Sequence, residues 1–248
     1  MADDTTANAF IFADHLVLDE SPTREFYRSV LQGLIHKNNN TLGVIQGYSS
    51  LILMDEPPKS VLENVEQMKT SANHATELAK VILTAAGCAR VNPEPTNLGD
   101  LIPHLKAKAE ENCAAAGASL QFQAADSLPA VQADSTRLIE LLVELIKNAA
   151  EAAAGISGGE VAIDILPPGE ASSAEENCVD FFIRNSSAEL TPEQIHQAFL
   201  PFEGNKSNDH YGLGLTTAGV LAGQMKMRLG LRNAEGTTTA WLSLPVAG

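Results

Sequence analysis

His36 stands in a segment with helical patterning whose neighbours would let an imidazole act as a nucleophile. It shares one helix face with Asn40 and with residues that are almost all small, so a docking protein can reach the ring. Neutral imidazole is the nucleophilic form of histidine. A lone histidine beside glycines is also typical of a surface helix whose glycines merely permit close packing. Other segments of the chain distinguish the two interpretations. The face comprises Ser29, Gly33, His36, Asn40, Gly43, Gly47 and Ser50.

Two long helices are predicted to carry this face. The first begins with Ser21 as N-cap and Pro22 as first helical residue, and the turn at residues 55–58 ends it. The second runs to a stop at Gly87. An antiparallel hairpin of this kind exposes apolar surface, so we predict a homodimer with a four-helix bundle. The predicted seam of the first helix is Leu31, Ile35, Asn38, Leu42, Ile45, Ser49 and Ile52, and its apolar flank is Val30, Leu34, Thr41, Val44, Tyr48 and Leu51.

The chain divides into an arm of undefined role at residues 1–20, the helical hairpin at residues 21–90 and a second domain at residues 96–248. A proline-bearing linker at residues 90–96 precedes the second domain. Helix and strand patterns alternate beyond it, which predicts an α/β sandwich and the α+β class for the chain. The predicted helices are 97–115, 135–154, 192–199 and 214–224, and the predicted strands are 119–123, 160–166, 178–184, 227–232 and 237–244.

Composition narrows the partners and the compartment. The net charge of −15 among 248 residues disfavours nucleic acid or anionic lipid as a main partner. The three cysteines are widely spaced without CxxC, which indicates reduced thiols. No apolar run approaches a membrane span and the polar start is no signal peptide, so we expect a cytoplasmic protein without direct membrane insertion. A separate sensor protein would then supply the input signal.

The second domain contains two segments suited to a metal-bound phosphate ligand. Glu144 and Asn148 are four residues apart on one helix, so their oxygens can point at one cation of the Mg²⁺ type. Gly212 and Gly214 lie at the start of the last predicted helix, where backbone N–H groups can approach phosphate oxygens. Together these segments indicate a site for a phosphate group and its cation.

From about Glu25 to the C-terminus, the chain resembles the catalytic core of two-component sensor histidine kinases. The resemblance is carried by His36 with Asn39-Asn40 and Leu42-Gly43-Val44-Ile45, by residues 128–138 and 144–152, and by residues 201–202 and 212–217. It implies a dimeric phosphotransfer hairpin and an ATP-binding domain of the histidine kinase and Hsp90-like ATPase type. The implied cofactors are ATP and Mg²⁺, and the implied partner is the receiver domain of a response regulator.

The resemblance also implies roles for individual residues. His36 accepts the phosphoryl group, Asn40 orients a water for the reverse phosphatase step, and Asn148 holds the Mg²⁺ that bridges the ATP phosphates. Lys206 lies in the implied ATP lid, where it can neutralise a terminal phosphate, or it is a solvated loop lysine. Thr237 and Thr238 follow Gly236 at the family's third glycine box, where a threonine lines the adenine pocket.

Two departures from the family bear on its activity. The adenine-reading Asp-x-Gly-x-Gly motif falls on residues 185–189, which read Asn-Ser-Ser-Ala-Glu. Asn185 can still accept a hydrogen bond, but less strongly than a carboxylate. Lys37 occupies the position after the histidine where the family usually places a carboxylate as general base. Its charge disfavours imidazolium and so keeps His36 neutral.

We therefore expect a two-component signalling protein that is phosphorylated on His36, by ATP if the nucleotide site is intact. The alternative is a histidine phosphotransfer protein or pseudokinase that does not bind ATP. A further alternative is a non-enzymatic docking scaffold, in which His36 is incidental. An ATPase with Glu144 activating water is also open, although the helical hairpin argues against it.

Overall fold

The computed structural model describes residues 9–15, 22–170, 177–202 and 212–248. Its contacts separate two compact units, which are described in turn. One comprises residues 19–89, and the other comprises residues 90–248 together with the described residues before position 16. The α+β class predicted from the sequence is confirmed.

The first unit is a hairpin of two long helices. Helix α2 (Pro22–Met54) begins at Pro22, where a missing N–H costs nothing, and helix α3 (Lys59–Ala85) follows a turn that contains Pro57 and Pro58. Gly87 adopts a left-handed φ of 69° just beyond α3, as a helix stop requires. At 1.5 Å per residue, the 33 residues of α2 span about 50 Å.

The inner face of the hairpin differs from the predicted seam in an informative way. Ile35 and Ser49 are buried as predicted, but Ile45 and Ile52 are 37% and 42% exposed. Gln46 faces α3 instead, because its amide nitrogen donates to Asn73 Oδ1 at 3.0 Å and to Thr76 Oγ1 at 3.3 Å. Polar groups therefore lie between the two helices together with buried apolar residues such as Ile35, Val65 and Ala72, while other apolar side chains remain exposed.

The second unit is a six-stranded mixed sheet with helices packed against it. The strand order is β1-β7-β8-β6-β5-β3, with β3 and β5 parallel and the other pairs antiparallel, and β2 pairs with β4 in a separate ribbon. The helices are α4 (Leu98–Ala116), α5 (Ser135–Ala154), α6 (Pro192–Gln197) and α7 (Gly214–Gln224). The strands are β1 (Phe10–Ile11), β2 (Glu94–Thr96), β3 (Ser119–Ala124), β4 (Val131–Ala133), β5 (Glu160–Leu166), β6 (Cys178–Ser186), β7 (Arg228–Ala234) and β8 (Thr237–Pro245).

Every helix and strand predicted in this domain is present, with ends within two residues of the expected ones. The predicted linker at residues 90–96 is wrong for residues 94–96, which form β2 and pair with residues 131–133. A strand of three residues is too short to show a period of two, and Pro95 argued against a strand because proline is uncommon within strands.

Side-chain hydrogen bonds cap the N-terminal ends of α4 and α5. One face of α5 contributes to the hydrophobic core. Asn97 accepts from the Gly99 N–H at the start of α4, and Asp134 accepts from the Arg137 N–H at the start of α5. The residues of α5 with the lowest exposure repeat at helical spacing and pack on the sheet. They are Leu138, Leu141, Leu142, Leu145, Ile146, Ala149, Ala150 and Ala153.

The N-terminal arm extends the sheet of the second unit. Phe10 and Ile11 form β1, which pairs antiparallel with β7. The Phe10 ring stacks on Phe199 with centroids 4.8 Å apart, and Phe12, in the short helix α1 (Phe12–His15), is only 6% exposed. The sequence left the role of this segment open, with the first long helix as one partner; residues 10–12 instead pack on the sheet and on α7.

The three cysteines are all free and buried. Burial raises the pKa of the Cys88 and Cys113 thiols above its usual value, which makes the reactive thiolate scarce at neutral pH. Among the described residues, no helix combines the length and apolar character that crossing a bilayer requires.

The packing of Phe12 on α7 predicts a coupled pair of substitutions. A Cβ on Gly219 would lie 2.5 Å from the Phe12 ring, so Gly219→Ala should lower the free energy of unfolding of the second domain by about 1–3 kcal/mol. In a Phe12→Ala background the same change should cost much less, because the clashing ring is gone. Urea denaturation of the four proteins measures the coupling, and strictly additive losses would contradict it.

Candidate functional site

His36 lies on the exposed surface of α2, on a face with little side-chain bulk. Its neighbour Ile35 is 6% exposed and points into the hairpin. A Cβ added to Gly33, Gly43 or Gly47 would meet nothing within 4 Å. The small-residue face predicted around His36 is therefore open in the single chain, and a second molecule can approach the imidazole closely.

Asn40 is the side chain that contacts His36. Its Nδ2 lies 3.4 Å from His36 Nδ1, one helical turn along α2. Within the described residues, no carboxylate forms an ion pair with His36, and the side chain of Lys37 is not paired with a carboxylate either. The general base that usually follows such a histidine has no counterpart here, and an amide is the group in contact with the ring.

Glu144 and Asn148 lie together on α5, both half-buried. Asn148 Nδ2 donates to the Glu144 backbone oxygen at 2.9 Å and to Glu144 Oε1 at 3.4 Å. The two side chains therefore share a face, as their spacing predicts, and they offer oxygen ligands of the kind that Mg²⁺ takes. Mg²⁺ usually binds one or two protein groups and completes its shell with water and phosphate oxygens.

The start of α7 approaches the Glu144 carboxylate closely. A Cβ on Gly214 would fall 1.9 Å from Glu144 Oε1, so any larger residue at this position would displace the Glu144 carboxylate. Gly212 adopts a φ of 64°, and its carbonyl oxygen accepts a 2.8 Å hydrogen bond from the Phe202 N–H. The N-terminal end of a helix thus meets a carboxylate and an amide, an arrangement that fits a phosphate group with its Mg²⁺.

Thr217 is a polar residue at this end that sequence reasoning did not select. It follows Gly214 by three residues, which places both on one side of α7. Its hydroxyl oxygen is buried and has no hydrogen-bond partner among the described residues. An orphaned hydroxyl beside the predicted phosphate position is a further group that a bound ligand can satisfy.

The adenine end departs from the family pattern in structure as well as in sequence. Asn185 is 5% exposed, and its Nδ2 donates to the Ser186 backbone oxygen at 2.9 Å. Asn185 pairs with Thr238 across the β6–β8 ladder, so the two predicted adenine-pocket residues are direct cross-strand neighbours. Thr237 pairs with Ser186 at the start of β8. Lys206 lies outside the described residues.

Asn233 is the second residue that sequence reasoning missed. Its Nδ2 lies 2.9 Å from Ser187 Oγ and 2.9 Å from Thr238 Oγ1, and its Oδ1 accepts from the Leu190 N–H at 2.8 Å. Ser187 and Thr238 are also within 2.8 Å of each other. Side chains therefore hold the 187–190 loop against the β7–β8 hairpin, where the family pattern has glycines.

The structure thus groups most of the predicted residues within the second domain. Glu144 contacts Asn148 and lies close to Gly214 at the predicted phosphate end, and Asn185 and Thr238 are adjacent at the other end. Helix α5, which carries Glu144 and Asn148, packs on β6, which carries Asn185. The residues fit Mg²⁺ and phosphate, whereas the adenine-reading carboxylate has no equivalent at position 185.

A family of known proteins matches the second domain. The family described as "Histidine kinase-, DNA gyrase B-, and HSP90-like ATPase" matches residues 133–248. The resemblance predicted from the sequence is therefore confirmed.

Curated relatives match a longer part of the chain. The sensor histidine kinase ZraS of Salmonella typhimurium is 25% identical over 214 residues, which are 85% of this chain and 44% of the relative. ZraS of Klebsiella oxytoca is 25% identical over 222 residues, covering 87% of this chain and 45% of the relative. The chain thus spans less than half the length of these relatives.

Solved structures share the fold. Full-length ShkA in complex with AMPPNP matches with a TM-score of 0.71 and 20% identity, covering 89% of this chain and 46% of that one. The histidine kinase ThkA in complex with the response regulator protein TrrA matches with a TM-score of 0.56 and 19% identity, covering 90% and 64%. Residues 133–248 are therefore similar to the histidine kinase, DNA gyrase B and HSP90-like ATPase family, and the chain as a whole is similar to the catalytic core of sensor histidine kinases.

Proposed function

We propose that the chain is a two-component phosphotransfer protein in which His36 takes up a phosphoryl group and passes it to an aspartate of a response regulator receiver domain. The observation that carries the proposal is the exposed His36–Asn40 pair on an open face, in a chain that also contains a kinase-type ATPase domain. The complexed state of the structural relative ThkA with TrrA is consistent with such a partner.

Mg-ATP is the proposed phosphoryl donor, and Mg²⁺ when bound neutralises charge that develops on the transferred group. Glu144 and Asn148 would hold the ion, and Gly212 and Gly214 would let backbone N–H groups approach the phosphates. Asn185, Thr237, Thr238 and Lys206 complete the proposed nucleotide site. His36 would then attack the terminal phosphate as a neutral imidazole.

A phosphotransfer relay that does not use ATP is the second candidate, and the adenine end favours it. The Asn185 amide nitrogen already donates to Ser186, and Asn233 ties the neighbouring loop to β8. A receiver domain brings its own aspartate and Mg²⁺, so exchange with His36 needs only a positioned ring nitrogen and a docking face. A docking scaffold without phosphoryl transfer would need only the face.

We also propose that the hairpin forms a homodimer. The exposed fractions are 51% for Val30, 63% for Leu34, 66% for Tyr48 and 58% for Leu51, whereas Gln46 is directed inward. An exposed apolar stripe beside a partly polar interior is what a hairpin presents when a second copy covers the outside. Two hairpins would then form the predicted four-helix bundle.

Substitution in the exposed stripe should separate the dimer. Tyr48→Glu places a charge on the proposed interface in both copies, which should weaken association by about 3 kcal/mol or more because unpaired charges are costly to bury. The side chain is exposed in the single chain, so helical content should persist. Sedimentation velocity should show monomers, with Gln32→Glu as a matched charge control that stays dimeric. Equal association of both variants would contradict the proposed interface.

Calorimetry with Mg-ATP tests the nucleotide site. Asn148→Ala should weaken binding at least tenfold, because it removes a proposed Mg²⁺ ligand. Asn112→Ala is a matched control, since Asn112 on α4 makes the same type of bond to the residue four positions earlier, at 2.7 Å. Asn185→Asp should tighten binding about tenfold by adding an acceptor for the adenine amino group. No binding by any variant at millimolar nucleotide would leave the phosphotransfer relay or the docking scaffold.

Transfer to His36 is tested with receiver domains of the source organism, each phosphorylated with acetyl phosphate. The wild-type chain should acquire an acid-labile phosphoryl group, and His36→Gln should lose it completely because no nucleophilic nitrogen remains. His74→Gln, an exposed histidine on the other helix of the hairpin, should retain it. Receiver binding that is equal in wild type and His36→Ala, with no transfer in either direction, would instead favour a scaffold.

A further inference from the structure

The contact between Asn40 and His36 involves one ring nitrogen and leaves the other exposed. Asn40 Nδ2 lies 3.4 Å from His36 Nδ1, and no other hydrogen bond to the ring occurs among the described residues. Both side chains are on the exposed surface of α2. Nε2 is therefore the nitrogen available to an incoming phosphoryl group, and Nδ1 is the nitrogen that contacts Asn40.

The chemistry of the amide links its orientation to the position of the ring proton. When Nδ2 donates to Nδ1, the neutral ring carries its proton on Nε2 and has no in-plane lone pair there. When the amide is turned by half a rotation, Oδ1 accepts from Nδ1–H and the Nε2 lone pair is free. A neutral imidazole can react at Nε2 only in the second arrangement.

We propose that Asn40 is a positioning residue that sets the tautomer of His36, the task that a carboxylate after the histidine would otherwise perform. Lys37 follows His36 and has no acceptor atom in its side chain. Among the described residues, no carboxylate pairs with His36. The amide oxygen of Asn40 is then the side-chain acceptor within reach of Nδ1. This inference rests on the proposed phosphotransfer function.

The transfer step balances with this assignment. The Nε2 lone pair attacks phosphorus of the receiver's aspartyl phosphate, an N–P bond forms, and the P–O bond to aspartate breaks. Aspartate leaves as a carboxylate with the bonding pair, and the ring becomes a phosphorylated imidazolium that keeps its Nδ1 proton. Asn40 Oδ1 accepts from that N–H throughout, so the contact stabilises the charge that develops on the ring.

Long-range ¹H–¹⁵N correlation NMR of the full chain tests the assignment without any phosphoryl donor. It is recorded at an alkaline pH beyond which the ring signals no longer change with pH, so that the neutral tautomers are compared. Asn40→Asp provides only acceptors and should shift His36 toward the Nδ1–H tautomer relative to wild type and to Asn40→Ala. Asn38→Asp is the matched control, because residues two apart do not face each other on a helix, and it should leave the tautomer unchanged.

Transfer rates complete the test. Asn40→Ala should lower the rate of phosphoryl transfer from a phosphorylated receiver domain about tenfold, the equivalent of one hydrogen bond, and Asn40→Asp should restore it. An identical tautomer signature in all four proteins, or a rate change without a tautomer change, would overturn the inference. Tautomers that respond as expected while no variant transfers phosphate would support the Asn40 contact and overturn the proposed function.

Discussion

The close approach of α7 to α5 at Gly214 is the constraint on which the proposed nucleotide site of the second domain depends. A side chain at this position would occupy the place of the Glu144 carboxylate, so glycine permits the helix start, the carboxylate and Asn148 to converge. The positive end of α7 then lies beside the residues that can hold a cation. The buried apolar face of α5 keeps that geometry rigid, because it anchors the same helix to the sheet.

The opposite end of the domain is organised by a different kind of interaction. Asn233 reaches the 187–190 loop and Thr238, so a side-chain network takes the position where the family pattern has glycines and an aspartate. Such a network is satisfied without a ligand, and a nucleotide base would have to compete with it. The proposed phosphate end therefore retains groups that can bind a ligand, whereas the polar side chains at the proposed adenine end are hydrogen-bonded to one another.

Sequence patterns predicted the helices and strands better than they predicted the side-chain hydrogen-bond networks. Long periodic segments such as 135–154 and 160–166 carry enough repeats to define helix and strand, and the spacing of Glu144 and Asn148 placed them on one face. The bonds of Asn233 to Ser187 and Ala188 join residues more than 40 positions apart, and no local sequence pattern predicts them. Helical spacing also placed Ile45 in the seam, but Gln46 faces the second helix because Asn73 and Thr76 supply its partners there.

The chemistry proposed for His36 depends on very little of this machinery. The ring, its contact with Asn40 and the open face around Gly33 and Gly43 all belong to one helix. Changes at the proposed adenine end therefore leave the proposed phosphoryl acceptor intact, and a protein with this arrangement can lose nucleotide binding without losing exchange with a receiver domain. A carboxylate after the histidine serves a nucleophile that must attack ATP, whereas an acyl phosphate has a better leaving group and demands less activation. Lys37 and the altered adenine end are thus consistent with one another. The carboxylate after the histidine and the adenine-reading motif both serve attack on ATP, and this chain lacks both.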